Sequence, residues 1–181
     1  MTEDEFFDFC ASNPGLRIER TARGEIIIMP PAGFETGFRN NDLCRQLGNW
    51  AKADGRGVAL DSNTEYVLPN GAALSPDASW VSKSRLEQFT KEQKRRFLPL
   101  CPDFVIELLS PSDRLKTVKA KMEEWIDNGV DLGWLIDADS KTVYIYRPGQ
   151  PPTELAGAGE IVDEGPVAGF RLDLRDVWQG V

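Results

Sequence analysis

The chain contains no histidine. That excludes Ser-His-Asp and Cys-His catalysis and any His-ligated zinc site. Acid–base or metal chemistry must then use carboxylates, lysines, tyrosines or water. Cysteine is scarce too. Cys10, Cys44 and Cys101 are widely spaced and form neither a C-x-x-C pair nor a disulfide framework. Three reduced, mostly buried thiols are expected, and a thiolate zinc site is disfavoured. Oxygen ligands point instead to Mg²⁺, Mn²⁺ or Ca²⁺. No apolar run reaches transmembrane length, and the start, Met1-Thr2-Glu3-Asp4-Glu5, lacks the basic region of a signal peptide. No membrane partner and a cytoplasmic location are the expectation. Positive charge is also short: 21 Lys and Arg stand against 29 Asp and Glu, a net charge of −8. This argues against a dedicated high-affinity duplex binder, because phosphate neutralisation dominates such affinity. It leaves room for a nuclease with a local basic surface and a metal centre.

What is present suits a soluble fold. The chain has 181 residues, 41% hydrophobic and 28% charged, enough for one domain with a core. It contains no internal repeats, low-complexity tracts or linker, so residues 1–181 read as a single domain. Thr2-Glu3-Asp4-Glu5 matches a capping box and predicts a short helix over 2–12. Leu16 to Arg20 alternates at strand period. It turns at Arg23-Gly24 into Glu25 to Met29, which predicts a hairpin. Phe38, Leu43, Leu47, Trp50 and Ala51 mark a long amphipathic helix over 35–53, ended near Gly55. Strands follow near 57–61, 64–68 and 78–81. Residues 83–98 carry Lys83, Arg85, Lys91, Lys94, Arg95 and Arg96, and predict a partly exposed basic helix. That helix is either a solvated surface or a phosphate-contacting one.

Phe104-Val105-Ile106-Glu107-Leu108-Leu109 reads as a buried strand containing one carboxylate. An unpaired buried charge costs several kcal/mol or neutralises itself. Something must compensate Glu107, and Asp77 and Lys121 are the expected partners in the site. Lys119 is a second way to pair the carboxylate. A helix from Pro111 to about Asn128 is predicted, with Gly129 as its C-terminal stop. Strands over 132–136 and 142–146 and a closing helical turn near 173–179 complete the chain. Asp103, Asp137 and Asp139 read as strand-end and turn residues, and Trp125 and Trp134 as core aromatics. Ser110 either bonds near Glu107 or caps the following helix.

The segment from Ser75 to Asp137 resembles the Uma2 family, described as restriction-endonuclease-like, within the PD-(D/E)XK nuclease superfamily. The resemblance rests on Pro76-Asp77 and on Glu107-Leu108-Leu109-Ser110-Pro111-Ser112. It continues through Lys121-x-x-x-Trp125-x-x-x-Gly129-Val130 and Trp134-Leu135-Ile136-Asp137. It implies an α+β fold: a restriction-endonuclease-like core with a mixed β-sheet flanked by helices, plus the N-terminal helix and β-hairpin. It implies that Asp77 and Glu107 on adjacent strands bind Mg²⁺ or Mn²⁺, and that Lys121 positions or activates water. The superfamily usually places its lysine two residues after the strand carboxylate. Leu109 holds that position here, and Lys121 stands in for it. DNA is the implied substrate, and a homodimer the implied assembly. Relatives carry a histidine near the start of the first long helix, where this chain has Glu35-Thr36-Gly37. Glu35 is either an added acidic ligand or a helix N-terminal charge. Two further functions stay open: a nuclease-derived binding module without catalysis, and a carboxylate-pair glycan hydrolase.

Overall fold

Thr2 starts the first helix, α1 (Glu3–Ala11). Its hydroxyl accepts the Glu5 N–H at 3.2 Å, and the Glu5 carboxylate accepts the Thr2 N–H at 2.7 Å. This reciprocal box satisfies two donors that a helix start leaves unpaired. The computed structural model that carries these atoms describes residues 1–162 and 165–181. β1 (Arg17–Arg20) and β2 (Ile26–Met29) form the expected antiparallel hairpin, with Arg17 opposite Met29. α2 (Phe34–Asp54) buries Leu43, Leu47 and Ala51, one per turn, and ends at Gly55 with φ of 76°. Only glycine adopts that left-handed geometry without strain.

The chain continues through β3 (Gly57–Asp61), β4 (Tyr66–Val67), β5 (Ala73–Leu74), β6 (Ala78–Ser82) and α3 (Lys83–Leu86). Then come β7 (Phe104–Leu108), α4 (Leu115–Asp127), β8 (Leu132–Asp137), β9 (Thr142–Tyr146) and β10 (Thr153–Ala156). β11 (Glu160–Val162), β12 (Arg171–Asp173) and α5 (Arg175–Gln179) end it. The larger sheet has six strands in the order β10-β9-β8-β7-β6-β3. β7 and β8 are parallel, and the other neighbours are antiparallel. α4 is the crossover that the parallel pair requires. A second sheet runs β2-β1-β5-β4, and β11 pairs with β12. The fold is therefore α+β, a mixed sheet flanked by helices with an N-terminal helix and hairpin, as the sequence implied.

All five residues of β7 are buried, because helices cover both faces of its sheet. On one face Leu43, Leu47 and Ala51 of α2 meet Trp80, Phe104, Ile106, Trp134 and Phe170. On the other, Met122 and Trp125 of α4 meet Val81, Val105 and Leu135. Strand alternation places Glu107 with Val105, on the α4 side. The second sheet packs against α1 through Phe6, Ile18, Val67 and Ala73. No helix among the described residues is long and apolar enough to cross a membrane.

Three sequence expectations need correction. Residues 83–98 form no continuous helix. They hold the four-residue α3 and a 3-10 turn at Gln93–Arg95. Thr90 and Gln93 exchange backbone-to-side-chain bonds of 2.8 and 3.2 Å and start a new turn there. The helix expected from Pro111 begins only at Leu115. Before it, Asp113 accepts both the N–H and the hydroxyl of Ser110, at 2.9 and 2.7 Å, and holds a turn. Of the three free thiols, Cys101 is buried, but Cys10 and Cys44 are only partly so.

Gly57 pairs with Ser82 in the β3–β6 ladder and lies under the Trp80 ring. A Cβ there would lie 2.3 Å from the indole ring and 2.5 Å from the Val81 carbonyl. Overpacking of this kind costs about 1–3 kcal/mol. Gly57→Ala is expected to lower the urea midpoint by an equivalent amount with an unchanged m-value.

Candidate active site

The β6–β7 register pairs Ala78 with Ile106. Continued by one residue, it sets Asp77 opposite Glu107, and opposed residues of an antiparallel pair share a face. Asp77 is fixed by its Oδ2, which accepts the Leu108 N–H at 2.8 Å. Its carbonyl accepts the Cys44 thiol at 3.4 Å. The Glu107 residue is 5% exposed. Its Oε1 accepts the Trp125 indole N–H at 2.9 Å and pairs with Lys121 Nζ at 3.0 Å. Lys121 and Trp125 are four residues apart on α4, so one helix face supplies both partners.

Lys121 is the centre of the network. Its ammonium also lies 3.0 Å from Glu19 Oε1 and 3.0 Å from the Ser75 carbonyl. Three N–H donors thus meet three oxygens. Glu19, on β1, accepts the Ser75 N–H at 3.0 Å. It ties the hairpin, the segment leading to Asp77, and α4 together. Glu65, just before β4, is also buried, and its Oε1 has no hydrogen-bond partner among the described residues.

Burial governs the electrostatics. It pushes Glu107 up to about 7; the Lys121 charge opposes this, while Asp77 and Glu19 add to it. Asp77 is raised by burial as well, against the Leu108 N–H, Lys121 and Arg17. Glu65 rises to about 8 through burial and then the Glu19 charge. Burial opposes the charge on Lys121, but the carboxylates of Glu107, Glu19 and Asp77 outweigh it and raise its pKa. Lys121 is therefore a firm cation at neutral pH.

The three residues read from the sequence, Asp77, Glu107 and Lys121, come together at one place. Lys119 does not pair with Glu107: it lies 3.9 Å from Glu154 and 3.8 Å over the Tyr144 ring. Glu35 pairs with Arg39 at 2.9 Å in the first turn of α2, as a helix-start charge does. Asp137 accepts the Ser140 N–H at 3.2 Å in a turn, and Asp103 accepts the Ser82 N–H at 2.8 Å. The basic stretch is partly spent on structure. Arg85 pairs with Asp103 and Asp131, and Arg96 with Asp4. Glu19, Glu65, Ser75 and the donor role of Trp125 were not anticipated. Glu19 stands in the alternating run Leu16 to Arg20, and nothing in the sequence shows that α4 packs against it.

Among the described residues, no three His, Cys, Asp or Glu side chains form a metal-binding group. Asp77 and Glu107 offer two carboxylates, which suffices for Mg²⁺, an ion that keeps several waters. The donors are oxygen alone. Burial and mutual repulsion both disfavour their charges, and a cation would relieve both effects. On these observations the pair fits Mg²⁺ or Mn²⁺.

Residues 3–175 match the model of the Uma2 family, whose description is "putative restriction endonuclease". The chain belongs to the Uma2 family. No curated protein matches it. A crystal structure from Anabaena variabilis, titled as a "putative nuclease belonging to DUF820", is similar with a TM-score of 0.80. The identity is 23%, over 99% of this chain and 98% of that one. The likeness extends the shared fold along nearly the whole length of both proteins.

The raised Glu65 sets a pH dependence. Its folded pKa lies above the unfolded one, so its contribution to stability is present below about pH 4.5 and is lost as pH rises through about 8. Glu65→Gln removes that penalty. It is expected to raise Tm by roughly 5 °C at pH 8.5, a gain that disappears near pH 4. Thermal melts of both proteins across pH 4–9 check this.

Proposed function

We propose that this Uma2 protein is a metal-dependent endonuclease that hydrolyses DNA phosphodiester bonds. The observation that carries the proposal is the facing pair of Glu107, buried on β7, and Asp77, part-buried just before β6, with Lys121 against Glu107. Asp77 and Glu107 would hold Mg²⁺ or Mn²⁺. When bound, the ion would supply positive charge for the phosphoryl oxygens and acidify a water.

The protein's own residues constrain the rest. Lys121 keeps its proton, because three carboxylates surround it. A general base needs a pKa near the working pH, so Lys121 is not that base. Its role is to fix Glu107 and to offset negative charge at the site. Trp125, from the same face of α4, also donates to Glu107 Oε1 and limits the rotamers open to the carboxylate. Leu108 fixes Asp77 through its backbone N–H. The result is a pair of carboxylates oriented before any ligand arrives, which is the usual source of catalytic electrostatic stabilisation. A homodimer would let two such sites address two strands.

One observation favours a second function, a nuclease-derived binding module without catalysis. Lys121 already pairs with both Glu107 and Glu19, so the buried carboxylate has a cationic partner without a metal. The net charge of −8 points the same way.

Calorimetric titration of Mg²⁺ and Mn²⁺, with plasmid cleavage on the same samples, separates the two. The wild type is expected to bind metal and nick plasmid. Asp77→Asn and Glu107→Gln should each weaken metal binding at least 10-fold and cut nicking by about 100-fold or more. A wild type that neither binds metal nor cleaves would leave only the binding module.

A further inference from the structure

Lys121 has no N–H to spare: Glu107 Oε1, Glu19 Oε1 and the Ser75 carbonyl each take one. A phosphate arriving beside Asp77 and Glu107 needs another cation. Arg17 starts β1 and lies two residues before Glu19, so both side chains leave the same strand face. On that face Glu19 reaches Lys121, and Arg17 Nη2 lies 3.9 Å from Asp77 Oδ1.

The Arg17 guanidinium is under-used where it sits. Nη2 reaches the Ser75 carbonyl at only 3.5 Å, the outer limit of a hydrogen bond. Nε is shielded from solvent and has no acceptor among the described residues. The side chain is 34% exposed, so its outer edge is open to a ligand. Arg20, on the opposite face, is the contrast. Its guanidinium donates to the carbonyls of Met1, Thr2 and Gly71 and lies 4.8 Å over the Phe6 ring. One arginine of the strand is spent on structure, and the other has donors in hand at the carboxylate pair.

We propose that Arg17 is a substrate-binding residue whose guanidinium takes the oxygens of a DNA phosphate beside Asp77 and Glu107. The assignment rests on the nuclease function proposed above. A guanidinium presents two parallel N–H groups that match phosphate geometry, which an ammonium cannot copy. Leaving its present position costs Arg17 little, since its contact to Ser75 is long and its contact to Asp77 is longer still.

The test is binding of a 20-base-pair DNA duplex by fluorescence anisotropy, with Ca²⁺ as the metal, between 50 and 200 mM KCl. Wild type, Arg17→Gln and Arg17→Lys are compared, with thermal melts to confirm folding. Each phosphate contact contributes about 0.9 to the slope of log affinity against log salt. Arg17→Gln is expected to bind more weakly with a slope shallower by about that amount. Arg17→Lys is expected to keep the slope but bind less tightly than wild type. If wild type binds and Arg17→Gln keeps its slope, the Arg17 assignment falls and the nuclease function stands. If wild type binds no duplex, both fall. Should Arg17→Gln not fold, Arg17→Lys decides: weaker binding at constant slope supports the assignment, and wild-type affinity overturns it.

Discussion

Everything at this site follows from one constraint: the carboxylate of Glu107 is out of water. In a strand buried on both faces, a bare charge would cost several kcal/mol. The fold answers with Lys121 and Trp125, both aimed at the same oxygen from one face of α4. Even so, burial holds the Glu107 pKa near 7. The compensation is therefore partial, and Asp77 on the neighbouring strand adds repulsion. A structural ion pair would place its opposite charges without a second carboxylate alongside. The arrangement instead resembles a site whose electrostatics are left incomplete for a ligand.

That requirement explains the topology around it. α4 must cross between parallel β7 and β8, and the crossover brings Lys121 and Trp125 back over the strand that carries Glu107. The antiparallel β6–β7 ladder brings Asp77 alongside. The hairpin sheet supplies Glu19, which grips Ser75 and Lys121 together. Four separate stretches of chain thus converge, and each is anchored by a backbone or side-chain hydrogen bond. Glu65 is the exception, a buried carboxylate with one oxygen that has no partner among the described residues. Its raised pKa lets it remain neutral at pH 7, so the oxygen is buried uncharged.

How much of this the sequence discloses depends on the residue. Glu107 is legible because a lone carboxylate in an apolar run demands a partner. Asp77 and Lys121 are legible through the Uma2 blocks, since spacing alone does not show which strands are neighbours. The hairpin, both long helices and every strand of the larger sheet except β10 follow from caps and periodicity. Glu19 is hidden because an alternating strand reads as having an outer polar face, and only tertiary packing turns that face inward. Glu65 lies in the strand expected over 64–68, but nothing in the sequence shows that its side chain is buried. Trp125 is correctly read as core, yet its indole N–H is also a site donor. The basic stretch over 83–98 is not a continuous helix because Thr90 and Gln93 bond locally and start a separate turn.

Burial holds Glu107 partly protonated near neutral pH, and a divalent cation bound between it and Asp77 would drive that proton off. Calorimetry of Mn²⁺ binding at pH 6.5, repeated in buffers of different ionisation enthalpy, tests this directly. The predicted result is an observed heat that varies linearly with buffer enthalpy, corresponding to release of about one proton per metal bound. Binding with a heat that is the same in every buffer, or no binding at all, would contradict it.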